Sequence, residues 1–352
     1  VNRTASDRIA RDRRRGIWRA GATPAGFAAA ICLLTAASPA ARRPQSNAQS
    51  AGNSIKTTSA AVNTYAIVEG RRGRLIRDLD QDDFQVLENS IPQKIQHFSR
   101  ETDATLNLGV AIDTSLSQER LLGTEQEAAK KFLRSVLQGG DQAFVMNFDV
   151  DVQLLKDFTN APAELVKAVD SARINVTGKS ALPENAGATG GTHLYDAVYL
   201  ASNELMKTRT GRKVLVLVTD GEDEGSKIDL RASIESAEKA DVIVYSIVVS
   251  DAQYYALMGG SYHGDASVRK LSRQTGGRTI VVKSVDEVGG AFDQIAGELR
   301  AQYLLGYFPA DLRGDGSFRR IQVRVRGHNY TVRTRAGYYD QGPAQAAVTE
   351  PR

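Results

Sequence analysis

The sequence of 352 residues predicts an α/β protein: a doubly wound, mostly parallel six-stranded sheet over residues 104–302, with a smaller β-module formed from the N- and C-terminal flanks. Three observations lead there. Between Leu106 and Ala301, runs that are apolar almost throughout (LNLGVAI, AFVMNF, KVLVLVT, DVIVYSIVV, RTIVV) alternate with stretches of helical period. Strands apolar on both faces and spaced by helices belong to a parallel sheet covered on both sides. In the flanks the apolar period drops to two and Gly, Asn and Pro recur, as in short antiparallel strands joined by turns. The composition, 41% hydrophobic and 24% charged, excludes a wholly disordered, collagen-like or multi-span membrane chain.

Residues 1–40 carry Arg3, Arg8, Arg11, Arg13, Arg14, Arg15 and Arg19 against Asp7 and Asp12, then the apolar run Phe27–Ala37 and Ser-Pro-Ala. A basic stretch, a short apolar run and small residues at a cleavage point predict a secretory signal peptide. The run is shorter than the about 20 residues that span a bilayer; an uncleaved anchor is the second reading. Cleavage removes Cys32, the single Cys, leaving an exported chain that depends on its core rather than on disulfides. The leader also holds +5 of the formal net charge of +4, so the remainder has no basic surplus for nucleic acid.

Residues 41–59 are polar and predict a linker. Over 60–103 the pieces VNTYAIVE, LIRDL, FQVLE and QKIQHFS predict an N-terminal β-module, marginal alone at about 45 residues. Its expected support is the strand-like YLLGYFP, FRRIQVRV and YTVRTR within 303–340; 341–352 form a tail. Within 104–302, VQLLKDFT (152–159) supplies a sixth strand, at an edge because only a short turn separates it from AFVMNF. Helices are expected over 121–137, 163–172, 194–207, 230–240, 267–274 and 285–299.

In an open α/β sheet, ligands sit beyond the carboxyl ends of the strands where strand order reverses. The first core strand ends in Asp113-Thr114-Ser115-Leu116-Ser117, the fourth in Thr219-Asp220-Gly221, and Gly190-Gly191-Thr192 opens a helix. In the common 3-2-1-4-5-6 order those two strands are neighbours, so two carboxylates and three hydroxyls converge. An all-oxygen set of this kind suits a hard divalent cation: Mg2+, with Mn2+ or Ca2+ as alternatives.

These residues resemble a von Willebrand factor type A (VWFA) domain with a metal-ion-dependent adhesion site. The DxSxS motif stands at Asp113, Ser115 and Ser117, the distant Thr at Thr192 and the strand-end Asp at Asp220. Leu116 stands where many members have Gly. The flanks DLDQDDFQVLENSIPQKIQHFSRE and QYLLGYFP…FRRIQVRV…VRTRAGYY resemble the bacterial, acidobacterial-type VWFA-related family, in which a turn Gly often occupies the position of Ser90. The resemblance implies that the two Ser and the Thr touch the metal, that one or both Asp act through water, and that a partner's Asp or Glu completes the shell.

Other features are peripheral. Glu222, Asp223 and Glu224 form an acidic rim, read as a solvated loop before a partner selector. His193 is a helix N-terminal residue or a partner contact; Tyr254 and Tyr255, with Met258 and Tyr262, form a recognition loop or pack over helix ends. Thr177-Gly178-Lys179-Ser180 imitates the end of a phosphate loop but has Arg173 where that loop needs Gly. His97, His193, His263 and His328 show no zinc-ligand spacing. Seven Arg between 311 and 337 predict a solvated strand face, or a face for an anionic envelope polymer.

The expected function is an exported, non-enzymatic module that binds a protein partner through a Mg2+-dependent adhesion site, in the periplasm or at the cell surface. The alternatives are a metal-dependent phosphatase-like hydrolase, disfavoured because Ser115 stands where that chemistry wants a second acid, and a structural envelope subunit with a vestigial metal site.

Overall fold

The computed structural model describes residues 61–100, 104–174, 191–257, 264–309 and 311–342; the expected signal peptide, linker and most of the tail lie outside them. Four short strands come first: β1 (Val62–Glu69), β2 (Phe84–Glu88), β3 (Ile91–Gln93) and β4 (Ile95–Arg100). The core strands are β5 (Leu106–Asp113), β6 (Gln142–Phe148), β7 (Val152–Thr159), β8 (Arg212–Thr219), β9 (Val242–Val248) and β10 (Thr279–Val281), standing in the order β10-β9-β8-β5-β6-β7. This is the expected 3-2-1-4-5-6 order, with β7 the antiparallel edge strand.

Every residue of β5, β8 and β9 is buried, because helices cover both faces. α1 (Leu122–Val136), α2 (Pro162–Ser171) and α7 (Val288–Leu299) pack on Leu108, Val110, Ile112, Val214, Val216 and Val218. The opposite face carries α3 (Leu194–Leu200, continued as a π-turn to Met206), α4 (Leu230–Lys239) and α6 (Asp265–Thr275), over Ala111, Phe144, Leu215 and Leu217. Successive residues of one strand therefore serve opposite layers, at about 1.5–3 kcal/mol for each fully buried aliphatic side chain. Gly109, mid-strand in β5, is needed for packing: a Cβ there would lie 2.3 Å from Phe144 Cζ. A short helix, α5 (Ala252–Leu257), replaces the start of the expected recognition loop; Met258 and Tyr262 lie outside the described residues.

The flanks form two four-stranded antiparallel sheets rather than one, each interleaving N- and C-terminal strands. With β11 (Gln302–Tyr307), β12 (Phe318–Val325), β13 (Thr331–Arg333) and β14 (Gly337–Tyr339), the orders are β13-β1-β11-β4 and β14-β12-β2-β3. Both contribute to one apolar cluster around Phe84, Val86, Tyr303, Leu305 and Val323. Along β12 burial alternates residue by residue, and Arg319 falls on the inner face. There it pairs with Glu88 at 2.9 Å and Asp340 at 2.7 Å, while Tyr307 and Tyr338 donate to the other Glu88 oxygen.

That placement corrects the reading of seven Arg as one charged face. Arg313 pairs with Asp311, Arg333 with Glu69 and Glu298, and Arg335 with Asp241. Four of the seven therefore have acidic partners within the fold, while Arg320, Arg324 and Arg326 stand exposed along and just after β12.

Candidate metal centre

Two strand ends build the site. β5 and β8 run parallel as neighbours, with Ile112 opposite Val218, so Asp113 and Asp220 emerge together at the carboxyl edge of the sheet. Asp113 is fully buried with both oxygens engaged: Oδ1 accepts the Ser115 N–H at 2.9 Å and Oδ2 accepts the Thr219 hydroxyl at 2.6 Å. The first of these bonds turns the chain back on itself into a 3₁₀ turn over Leu116–Gln118. The Ser115 and Ser117 hydroxyls then lie 3.1 Å apart, and Ser117 donates to Asp220 Oδ2 at 2.5 Å. Tyr255 of α5 donates to the same oxygen at 2.9 Å. After Asp220 the chain turns sharply at Gly221 (φ +87°), where a Cβ would meet the Gly264 carbonyl oxygen at 2.6 Å.

Burial, and then the like charge of Asp220, push the Asp113 carboxyl up to about 8, against the pull of its Ser115 and Thr219 hydrogen bonds. Burial and the Asp220 charge also raise the Tyr255 phenol, which stays protonated as a donor.

The motif loop is braced from behind. Thr114 donates its N–H to the Phe148 carbonyl and its hydroxyl to Asp149 Oδ2 at 2.8 Å, while Asn147 donates to the Thr114 hydroxyl at 2.9 Å. The Asp149 carbonyl in turn accepts the His193 N–H at 2.7 Å. Sequence reasoning missed Thr114, Asn147, Asp149 and Thr219; the available signal was polar residues closing otherwise apolar strands.

Thr192 reaches this edge through its main chain. It exchanges two 2.9 Å hydrogen bonds with Glu224, tying the segment before α3 to the loop that carries Asp220. The Thr192 side chain is buried; Gly190 lies outside the described residues. Among the peripheral residues, Asp223 accepts the Tyr195 N–H at 3.0 Å and the Ser226 hydroxyl at 2.6 Å, so its carboxylate caps α3. Glu222 donates its N–H to Asp220 Oδ1 at 3.1 Å, and Glu224 is exposed. His193 precedes α3 with its ring 4.0 Å from Asp196. Tyr254 belongs to α5 beside Tyr255.

The donor set fits a divalent cation. It consists of oxygens only, it buries two carboxylates of one sign, and no described cationic side chain pairs with Asp113; hard cations are held by such sets. No group of three or more His, Cys, Asp or Glu is poised to share one ion among the described residues; the set of five proposed from the sequence has only two carboxylates beside three hydroxyls. No described helix is long and apolar enough to cross a membrane.

A family model for the von Willebrand factor type A domain matches residues 108–222. No curated protein matches the sequence. Among solved structures, proximal thread matrix protein 1 from the mussel byssus is 14% identical, with a TM-score of 0.46, over 60% of this chain and 51% of that one. The match thus spans about half the length of the mussel chain. The same mussel protein with a zinc-occupied MIDAS motif is 14% identical, with a TM-score of 0.40, over 57% and 49% of the two chains. A von Willebrand factor type A protein from Catenulispora acidiphila is 13% identical, with a TM-score of 0.46, over 82% and 74%. By the family match, whose span holds Asp113, Ser115, Ser117, Thr192 and Asp220, this chain contains a von Willebrand factor type A domain.

Proposed function

We propose that the domain is a non-enzymatic binding module that holds a divalent cation, Mg2+ by donor class, and captures a carboxylate of a protein partner. The observation that carries this reading is the continuous Ser115–Ser117–Asp220 hydrogen-bonded chain with Asp113 locked behind it. Ser115, Ser117 and Thr192 would supply neutral oxygens, with Asp113 and Asp220 offsetting the charge. A bound ion of this kind supplies Lewis acidity toward an incoming carboxylate. The chain's own contribution is to fix Asp113 through the Ser115 N–H and the Thr219 hydroxyl, and Asp220 through Ser117 and Tyr255, beside the Ser115 hydroxyl.

The phosphatase-like alternative needs Asp113 as a nucleophile. Both its oxygens accept hydrogen bonds and it is wholly buried, which opposes that role. Export to the periplasm or cell surface is part of the proposal and rests on the basic, then apolar, residues 1–40.

The test is retention of envelope proteins on the immobilised chain in Mg2+. Retention should be released by EDTA and be absent in both Ser117→Ala and Asp220→Ala; retention unchanged in EDTA contradicts the proposal. Cell fractionation checks export, which a purely cytoplasmic signal would refute.

A further inference from the structure

Behind the cluster lies a carboxylate that nothing above uses. Glu125, in the first turn of α1, is fully buried, and neither of its oxygens has a hydrogen-bond partner among the described residues. Burial, then Asp113, then Asp220 raise its carboxyl well above the usual range, so the like charges it senses are those of the metal centre. Gln118 closes the 3₁₀ turn just ahead of α1, and main-chain bonds link the two turns: Leu121 donates its N–H to the Gln118 carbonyl, and Glu125 donates its own to the Leu121 carbonyl. The Gln118 side chain donates to the Val249 carbonyl at 3.5 Å, and its amide oxygen is likewise buried without a described donor. Three buried acceptors without described donors thus belong to the motif turn and the first turn of α1.

A buried carboxylate without donors is costly, and a helix first turn accounts for an exposed Glu, not for one sealed in the interior. Oxygen acceptors facing a cation site are satisfied by the ion's waters, which carry only donors toward them. Glu125 does not join Asp113 and Asp220 in a three-acid cluster close enough to share an ion, so it acts from behind the ligands.

We propose that Glu125 is a third carboxylate of the metal centre, a positioning residue that accepts hydrogen bonds from water on the inner side of the cation, with the Gln118 amide oxygen as its companion. The inference rests on the metal-binding reading and adds a residue outside the five of the motif. Glu125 then acts on the ion only through water, and governs how tightly it is held.

The test is Mn2+ titration, by calorimetry and by electron paramagnetic resonance, of the EDTA-stripped full chain and of Glu125→Gln, with metal-free melting temperatures for both. The wild type should bind one equivalent. Glu125→Gln should bind one equivalent about 10- to 100-fold more weakly, while its metal-free melting temperature stays equal or rises because a buried acid has gone. A residue with only a packing role gives the reverse, a lower melting temperature with affinity within twofold of wild type, and overturns the proposal. So does a second equivalent that disappears in Glu125→Gln, which would make Glu125 a direct ligand. Glu125→Met, apolar and of similar length, replaces the Gln variant if that fails to fold and carries the same expectation. A wild-type chain that binds no Mn2+ defeats the metal reading itself, whereas binding unchanged in the variants defeats only the role of Glu125.

Discussion

The Tyr255 hydroxyl donates to Asp220 Oδ2 across 2.9 Å, on the oxygen that also receives Ser117. A short helix after β9 thereby bears on a strand-end carboxylate contributed by β8, and orients it. Removing the donor takes away one of the bonds that orient Asp220, which keeps those from Ser117 and the Glu222 N–H. Tyr255→Phe should weaken Mn2+ binding about tenfold, the lower range for a group that orients a ligand, with little change in circular dichroism. Equal affinity would assign Tyr255 to packing alone.

The pH dependence of the metal-free protein follows from Asp113. Its carboxyl is raised to about 8 in the folded chain, against about 4 when unfolded, so the folded state holds the proton more tightly. The stability this contributes is present in acid and is lost as pH rises through about 8. Metal-free melting temperature should therefore fall between about pH 4 and about pH 8, and the slope should flatten in Asp113→Asn. Mn2+, which displaces the proton, should bind more tightly over the same range. A slope unchanged in Asp113→Asn would place its origin elsewhere.

The buried ion cluster of the flanking sheets makes a separate prediction. Arg319 faces both Glu88 and Asp340, and Arg319→Met strands two buried acids. The loss should be about 3–5 kcal/mol, the usual cost of removing one partner from a buried pair, read by urea unfolding. A loss under 1 kcal/mol, as for a surface pair, would contradict the buried assignment.

Ser90 offers the opposite sign. Asn89 and Ser90 form the two-residue β2–β3 turn with φ of +48° and +71°, a mirror-image turn that suits Asn-Gly. Asn89 is fixed by its exchange with the Arg320 main chain. Ser90→Gly should stabilise the protein by about 1 kcal/mol, the relief of a left-handed residue carrying a Cβ. Unchanged thermal unfolding would show the turn to be unstrained.

The core sheet was legible because β5, β8 and β9 are apolar along their whole length and periodicity has no competing reading there. Asp113 and Asp220 could be brought together from strand order alone. The division of the flanks into two sheets was not legible, because nothing within β11 or β12 names its partner and only long-range pairing assigns one to β1 and the other to β2. Arg319 was misassigned for a related reason: alternation tells which residues share a face, and Ile321 shares it, but not that acids wait on that side. Glu125 escaped notice because a Glu in a first helical turn is ordinarily a surface residue.

Titration of Mg2+ and Mn2+ into the EDTA-stripped full chain, followed by calorimetry and melting temperature, tests the central claim most directly. The account predicts one ion per chain and a stabilisation that grows with metal, reaching about 2.7 kcal/mol at a hundredfold excess over the dissociation constant, with both effects abolished in Ser117→Ala and Asp220→Ala. Absence of binding at millimolar metal, or binding that survives both substitutions, would contradict it.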